Sequence, residues 1–201
     1  MGMDAAATAG RLAAVEPGVE AQHRKLRIAT LLLIASDVVF VTCLFFTYLY
    51  LHALNVEGRW LPAGVQPPSA ASGVLLAALL VLSAASYRWA DLGVRQGDLR
   101  RLRTGLGVAL GLVVVELLYA LWQLAHLGFG PGSGSFADSF IVLSGYHFVH
   151  LLLVVLLGAM VLNRARHGRY GPGRAIGVEL VGYVWYWVAL MAVAMALLAL
   201  V

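Results

Sequence analysis

The chain has 201 residues, of which 61% are hydrophobic and 12% charged, and its formal net charge is +4. Soluble domains are about 45–50% apolar and about 25% charged, so a soluble fold of this length could not hide so much apolar surface. The basic charge lies between apolar runs, which excludes a nucleic-acid face, and the single cysteine, Cys43, excludes an intrachain disulfide and any multi-cysteine metal site.

The first 22 residues are Ala-rich without an apolar block and read as a mobile tail, with residues 1–27 assigned as a cytoplasmic N-terminal segment and 28–201 as one five-helix transmembrane domain. The first apolar run, about Ile28–Leu54, is too long for a signal peptide, and no small-residue cleavage pattern follows it. Four more runs follow, at about Ala70–Ala90, Leu102–His126, Ala137–Asn163 and Ile176–Val201. Each is long enough to cross about 30 Å of hydrocarbon as a helix. None alternates as a barrel strand does, so the predicted fold class is an all-α, polytopic five-helix bundle.

The connections are short. Residues 55–69 carry Pro62, Pro67 and Pro68 and read as an ordered, non-helical loop, and 128–135 (GFGPGSGS) reads as a tight turn. The connections at 87–103 and 164–174 are rich in arginine, and Gly168, Gly171, Pro172 and Gly173 break the helix before the last run. Every lysine and arginine except Arg59 falls on one side: Arg11, Arg24, Lys25 and Arg27 before the first run, the rest in those two connections. The positive-inside rule then predicts a cytoplasmic N-terminus and an external C-terminus. No internal or inverted repeat of the transporter kind is visible.

Polar residues at membrane depth are the candidate functional groups. Asp37 lies about 14 Å into the first run, near the midplane, where a carboxylate costs roughly 2.5–3.5 kcal/mol on insertion scales. It reads either as a group beside a proton route or as an uncharged acid that holds helices together. Glu116, Tyr119 and Gln123 share one face of the third helix, a pattern that also suits a helix–helix hydrogen-bonding stripe. His147 and His150 share a face of the fourth helix. The Glu-x-x-His pairs of a di-iron bundle are missing, and two haem ligands would stand on opposing helices, so these histidines read as hydrogen-bonded or lipid-contacting. Glu179 opens the fifth helix, where a carboxylate suits the dipole. Tyr183, Trp185, Tyr186 and Trp187 run on past it, so some of them should pack against another helix or protein.

Several of these features align in order with a known family. Ser36-Asp37-Val38-Val39-Phe40 matches a Ser-Glu-x-x-Phe-like motif with the acid changed, and Trp60-Leu61-Pro62-Ala63-Gly64 matches Trp-x-Pro-x-Gly. Trp89 and then Gly97-Asp98 follow, and Gln123 matches a Gln-x-x-Glu pattern whose acid is here His126. Gly145-Tyr146-His147-Phe148-Val149-His150 matches Gly-aromatic-His-x-x-His, Arg164 ends that helix, and Glu179 and Trp185 begin the last motif. Tyr186-Trp187-Val188-Ala189 replaces the family's His-Phe-Val-Asp there, so no role is carried over to those positions. From about Arg24 to Val201 the chain resembles subunit III of the haem–copper oxidases in a five-helix form.

The resemblance implies a non-catalytic subunit with no cofactor of its own. It implies packing on subunit I, and on subunit II beside it, with haems and copper in those partners, in a bacterial-type plasma membrane. Asp37 would be the proton-route acid, Glu116 a second buried polar group, and Arg164, His167 and Arg169 would hold the phosphates of structural phospholipids. His147, His150, Glu179 and Trp185 would be structural or lipid-facing. Aspartate in place of glutamate is similar to the quinol-oxidase branch and to the accessory subunit of nitric oxide reductases, which leaves both the electron donor and the acceptor open. A small transporter using Asp37, Glu116 and the histidines as a relay is the alternative from another class, and the scattered polar residues argue against it. Asp37→Ala is expected to leave assembly largely intact while making proton pumping less efficient.

Overall fold

A computed structural model describes residues 17–55, 60–61, 64 and 67–200. The readings placed on Arg11, Arg59, Pro62 and the first sixteen residues of the tail lie outside these. Among the described residues the fold is five helices: α1 Pro17–Ala53, α2 Ala70–Arg95, α3 Leu99–Ala125, α4 Ser135–Arg166 and α5 Ile176–Leu198. All five are long and apolar enough to cross a membrane.

The largest departure from the predicted boundaries is in α1, which begins at Pro17 rather than near Ile28. A proline fits a first helical position because it has no N–H to leave unpaired. Glu20 in the first turn suits the helix dipole, and Ala21, Gln22, Lys25 and Leu26 are good helix formers. The described part of the assigned tail, 17–27, is therefore helical. At 37 residues α1 is about 55 Å long, well beyond the roughly 30 Å of hydrocarbon.

Elsewhere the caps explain the ends. Ser69 accepts from the amide of Ser72 to start α2. Between α2 and α3, Gly97 takes a φ of +81°, a region that side chains avoid. This lets the Asp98 amide reach back to the Gly93 carbonyl at 2.9 Å, while the Asp98 carboxylate accepts from the Arg101 amide at 2.9 Å.

Helices α2, α3, α4 and α5 pack in a ring, each against the next, with α5 returning to α2; α1 lies outside the ring, against α4 and α5. Apolar side chains gain little by leaving lipid, so close packing and buried polar contacts hold such a bundle together. Gly105 brings α3 onto α2: a Cβ there would come within 3.0 Å of Ala90 and closer still to the Trp89 ring. Ser83 and Ser86 of α2 donate across the same contact to the carbonyls of Ala109 and Gly105, each at 2.8 Å. The centre is Trp185, fully buried. Its ring lies 4.7 Å from that of Tyr87 and fills the space left by Gly158, and its indole N–H donates to Ser83 Oγ at 2.9 Å.

Candidate functional site

The polar residues at membrane depth converge on α4. Asp37 faces inward from α1 toward α4 and α5. Its Oδ1 accepts from the Tyr146 hydroxyl, and its Oδ2 accepts from the Trp187 indole N–H at 2.5 Å. His150 Nε2 lies 3.0 Å from the same Oδ2. The other nitrogen of His150, Nδ1, faces the Tyr146 carbonyl at 2.9 Å. A carbonyl only accepts, so Nδ1 carries a hydrogen. Two arrangements then satisfy the remaining contact. Either Nε2 is also protonated and the pair is imidazolium with carboxylate, or Asp37 holds the proton and donates it to Nε2. Tyr146 and Trp187 donate to the carboxylate in either arrangement.

The expectation that Asp37→Ala leaves assembly largely intact needs correcting on this geometry. Removing the carboxylate strands the donors of two other helices in a low-dielectric interior, a structural cost that the apolar surroundings of Asp37 in the sequence did not reveal.

One residue along α4 from Tyr146, a second pair forms on another face. His147 Nε2 lies 3.1 Å from Glu116 Oε1 on α3, and both residues are buried. Glu116 Oε2 and His147 Nδ1 have no partner. Both residues are also among those around one end of a cavity of about 370 Å³. Both histidines of the Gly145–His150 motif are therefore hydrogen-bonded to acids inside the bundle and not turned to lipid.

At the arginine-rich end a third cluster ties three helices together. Glu179 of α5 accepts from Arg27 Nε at 2.6 Å and Nη2 at 3.0 Å, from Arg95 Nη2 at 3.3 Å, and from the Tyr183 hydroxyl at 2.7 Å. Arg95 also reaches Asp91, 3% exposed, which takes a further hydrogen bond from Arg88 at 2.7 Å. Glu179 is thus more than a first-turn carboxylate: it anchors the N-terminal stretch of α1 to α2 and α5. Arg164, His167 and Arg169 lie where α4 ends, with His167 Nδ1 capping the Asn163 carbonyl at 2.8 Å and the Arg169 amide closing on the Arg164 carbonyl.

The sequence reading missed three participants. Tyr146 stands one turn before His150 and so shares its face, which was a usable signal. A Trp187 indole N–H in mid-membrane requires an acceptor, and Asp37 was an available one. Asp91, with arginines three residues before and four after, carried the spacing of helical ion pairs. Among the described residues no group of three or more His, Cys, Asp or Glu side chains gathers as a metal site would require.

Fold and site together define a multi-pass helical membrane protein with acid–histidine pairs between its helices. The cytochrome c oxidase subunit III family model matches residues 15–200, and the chain belongs to that family. It is 25% identical over 170 residues to cytochrome c oxidase subunit 3 of Sus scrofa, an alignment that takes in 83% of this chain and 65% of that protein. It is 25% identical over 173 residues to the subunit 3 of Thermostichus vulcanus, covering 83% of each. With that of Corynebacterium diphtheriae it shares 23% over 165 residues, 80% of each chain. The chain thus spans just under two thirds of the Sus scrofa protein and most of the two shorter ones.

Proposed function

We propose that this chain is the non-catalytic subunit III of a proton-pumping haem–copper terminal oxidase in an aerobic respiratory chain. It carries no redox centre. It packs on subunit I, beside subunit II, with its N-terminus on the cytoplasmic side, and supports proton uptake and the durability of the complex. The family match over residues 15–200 carries this reading. The Asp37–His150 contact supports the proton-uptake role, because it sets two groups able to hold a proton 3.0 Å apart at membrane depth. The outward face of α1, where Leu32, Leu33, Val39 and Phe46 are all more than 60% exposed, offers an apolar surface for lipid or subunit I. In this reading Arg164, His167 and Arg169, at the end of α4, hold phospholipid phosphates at the cytoplasmic edge.

Purification of the tagged chain in mild detergent, followed by mass spectrometry and an absorption spectrum, tests the proposal. The expected result is co-purification of a large subunit with six histidine ligands, haem bands in the complex, and none in the chain stripped of its partners. A chain that purifies alone with its own Soret band, or that moves a solute when reconstituted by itself, overturns it. Asp37→Asn, which keeps the shape of the cluster but not its titration, is expected to lower the protons pumped per electron or to shorten the active lifetime during turnover. An unchanged ratio and lifetime would leave Asp37 a structural residue.

A further inference from the structure

At the helix ends remote from the arginine-rich connections the ring of α2–α5 holds two cavities, one of about 370 Å³ and one of about 240 Å³. Pro68, Ser69, Ser72 and Gln123 line both, so the two adjoin. They differ in chemistry. The larger is walled mainly by apolar side chains, among them Leu76, Leu124, Phe140 and Met195. It reaches from Ser69 to Ala77 along α2 and from Ala199 to Ala192 along α5. By helical rise that is a depth of about 10–12 Å. Bonds of about 1.5 Å advance an extended alkyl chain by roughly 1.25 Å each, so the slot takes about eight to ten carbons.

The smaller cavity is polar and aromatic. Tyr119, Trp122, Gln123 and His126 are spaced by three and four, so the last turns of α3 present them on one side, and Ser69 and Ser72 join them from the start of α2. His126 Nδ1 lies 2.8 Å from the Trp122 carbonyl and its ring stacks on the Trp122 indole at 5.1 Å, which fixes the imidazole. Tyr119 and Gln123 are partly exposed and His126 is exposed. Among the described residues, the Tyr119 hydroxyl, the Gln123 amide and His126 Nε2 have no hydrogen-bond partner, and no lysine, arginine, aspartate or glutamate lines this cavity.

The division selects the occupant. A bare alkane leaves the three polar groups unmatched. A phosphate finds no guanidinium or ammonium among the lining residues, and an amine finds no carboxylate. Hydroxyl groups both donate and accept, which suits a phenol, an amide and an imidazole together. The 240 Å³ exceeds the roughly 150 Å³ that accommodates a benzene ring, leaving room for one six-membered ring and its substituents. We infer that the two cavities form one site for an amphiphile with a single apolar chain and an uncharged, hydroxyl-bearing headgroup, its chain between α2 and α5 and its headgroup at the end of α3. The site is distinct from the phosphate contacts proposed at the end of α4 and stands whether or not the oxidase reading does.

Photolabelling of the protein, purified with the partners it retains in mild detergent and reconstituted in phospholipid nanodiscs, tests this. The probes are decyl glucoside, decyl phosphocholine and decane, each with a diazirine near a free chain end. Labelling is normalised to that of the exposed face of α1. On peptides covering residues 74–80 and 189–196 the glucoside should label saturably and be displaced by plain decyl glucoside. It should exceed the other two probes by about tenfold, the worth of one well-made hydrogen bond. Gln123→Leu combined with His126→Leu should bring the glucoside down to the level of decane while leaving decane unchanged. Gly73→Leu fills the larger cavity from its α2 wall, where an added Cβ lies 3.9 Å from its nearest neighbours, and should abolish labelling of 189–196 by all three. If that variant does not assemble, the headgroup double variant decides. Equal labelling by the three probes, a preference for the phosphocholine, indifference to the substitutions, or labels confined to α1 would overturn the site.

Discussion

The two acid–histidine pairs on α4 use the same groups and differ in how completely they are met. Asp37 is surrounded by the hydroxyl of Tyr146, the imidazole of His150 and the indole of Trp187, drawn from two helices. Glu116 has one partner, His147, and its second carboxylate oxygen is buried without one. The first is a closed polar knot that welds α1 to the ring. The second joins two helices already in close contact and leaves capacity over. In a medium without water, the number of satisfied groups decides how firmly an acid ties its helices together.

Asp37→Ala should break the contrast most directly. It leaves the Tyr146, His150 and Trp187 groups without their acceptor and should cost about 2–5 kcal/mol, read as a loss of unfolding free energy in bicelles or as release of α1 to limited proteolysis. A cost below 1 kcal/mol would mean that the knot is not what holds α1. Packing offers the next test. Gly158→Ala pushes a methyl to 2.7 Å from the buried Trp185 ring and should destabilise by about 1–3 kcal/mol, whereas Gly107→Ala, with nothing within 4 Å, should be neutral or stabilise slightly. If both behave alike, α4 is seated by its polar contacts alone. Tyr146→Phe removes one donor from a carboxylate that keeps two, and should cost about 1 kcal/mol by the same measurement. Smallest of all, Glu116→Gln should change stability by less than about 0.5 kcal/mol, since half of the carboxylate is unpartnered already. A cost comparable to that of Asp37→Ala would erase the distinction between the two pairs.

Much of this was legible in the chain. Five apolar runs of spanning length, separated by turn residues and arginine-rich connections, give five helices at nearly the predicted places, because length and hydropathy decide whether a segment crosses a membrane. Asp37, Glu116, His147 and His150 stood out because polar groups are rare at that depth. Their pairing did not, because Asp37 finds its partners 109 to 150 residues away along the chain, and only the packing of α1 into the groove between α4 and α5 selects them. The start of α1 was missed for a different reason. Residues 17–27 are polar and carry no membrane signal, and their helicity rests on local propensity and on Arg27 reaching Glu179. Asp91 went unremarked because its arginine neighbours drew it into the basic connection, although its carboxylate is buried.

The placing of Tyr146, His147 and His150 on one rod has a mechanical side. Successive residues of a helix are about 100° apart around its axis, so neighbours 146 and 147 engage acids on two different flanks. Helix α4 is thereby keyed like a shaft held by two pins: a turn of a single residue in either direction would withdraw both at once. Rotation of α4 is thereby opposed from two sides, by α1 through Asp37 and by α3 through Glu116.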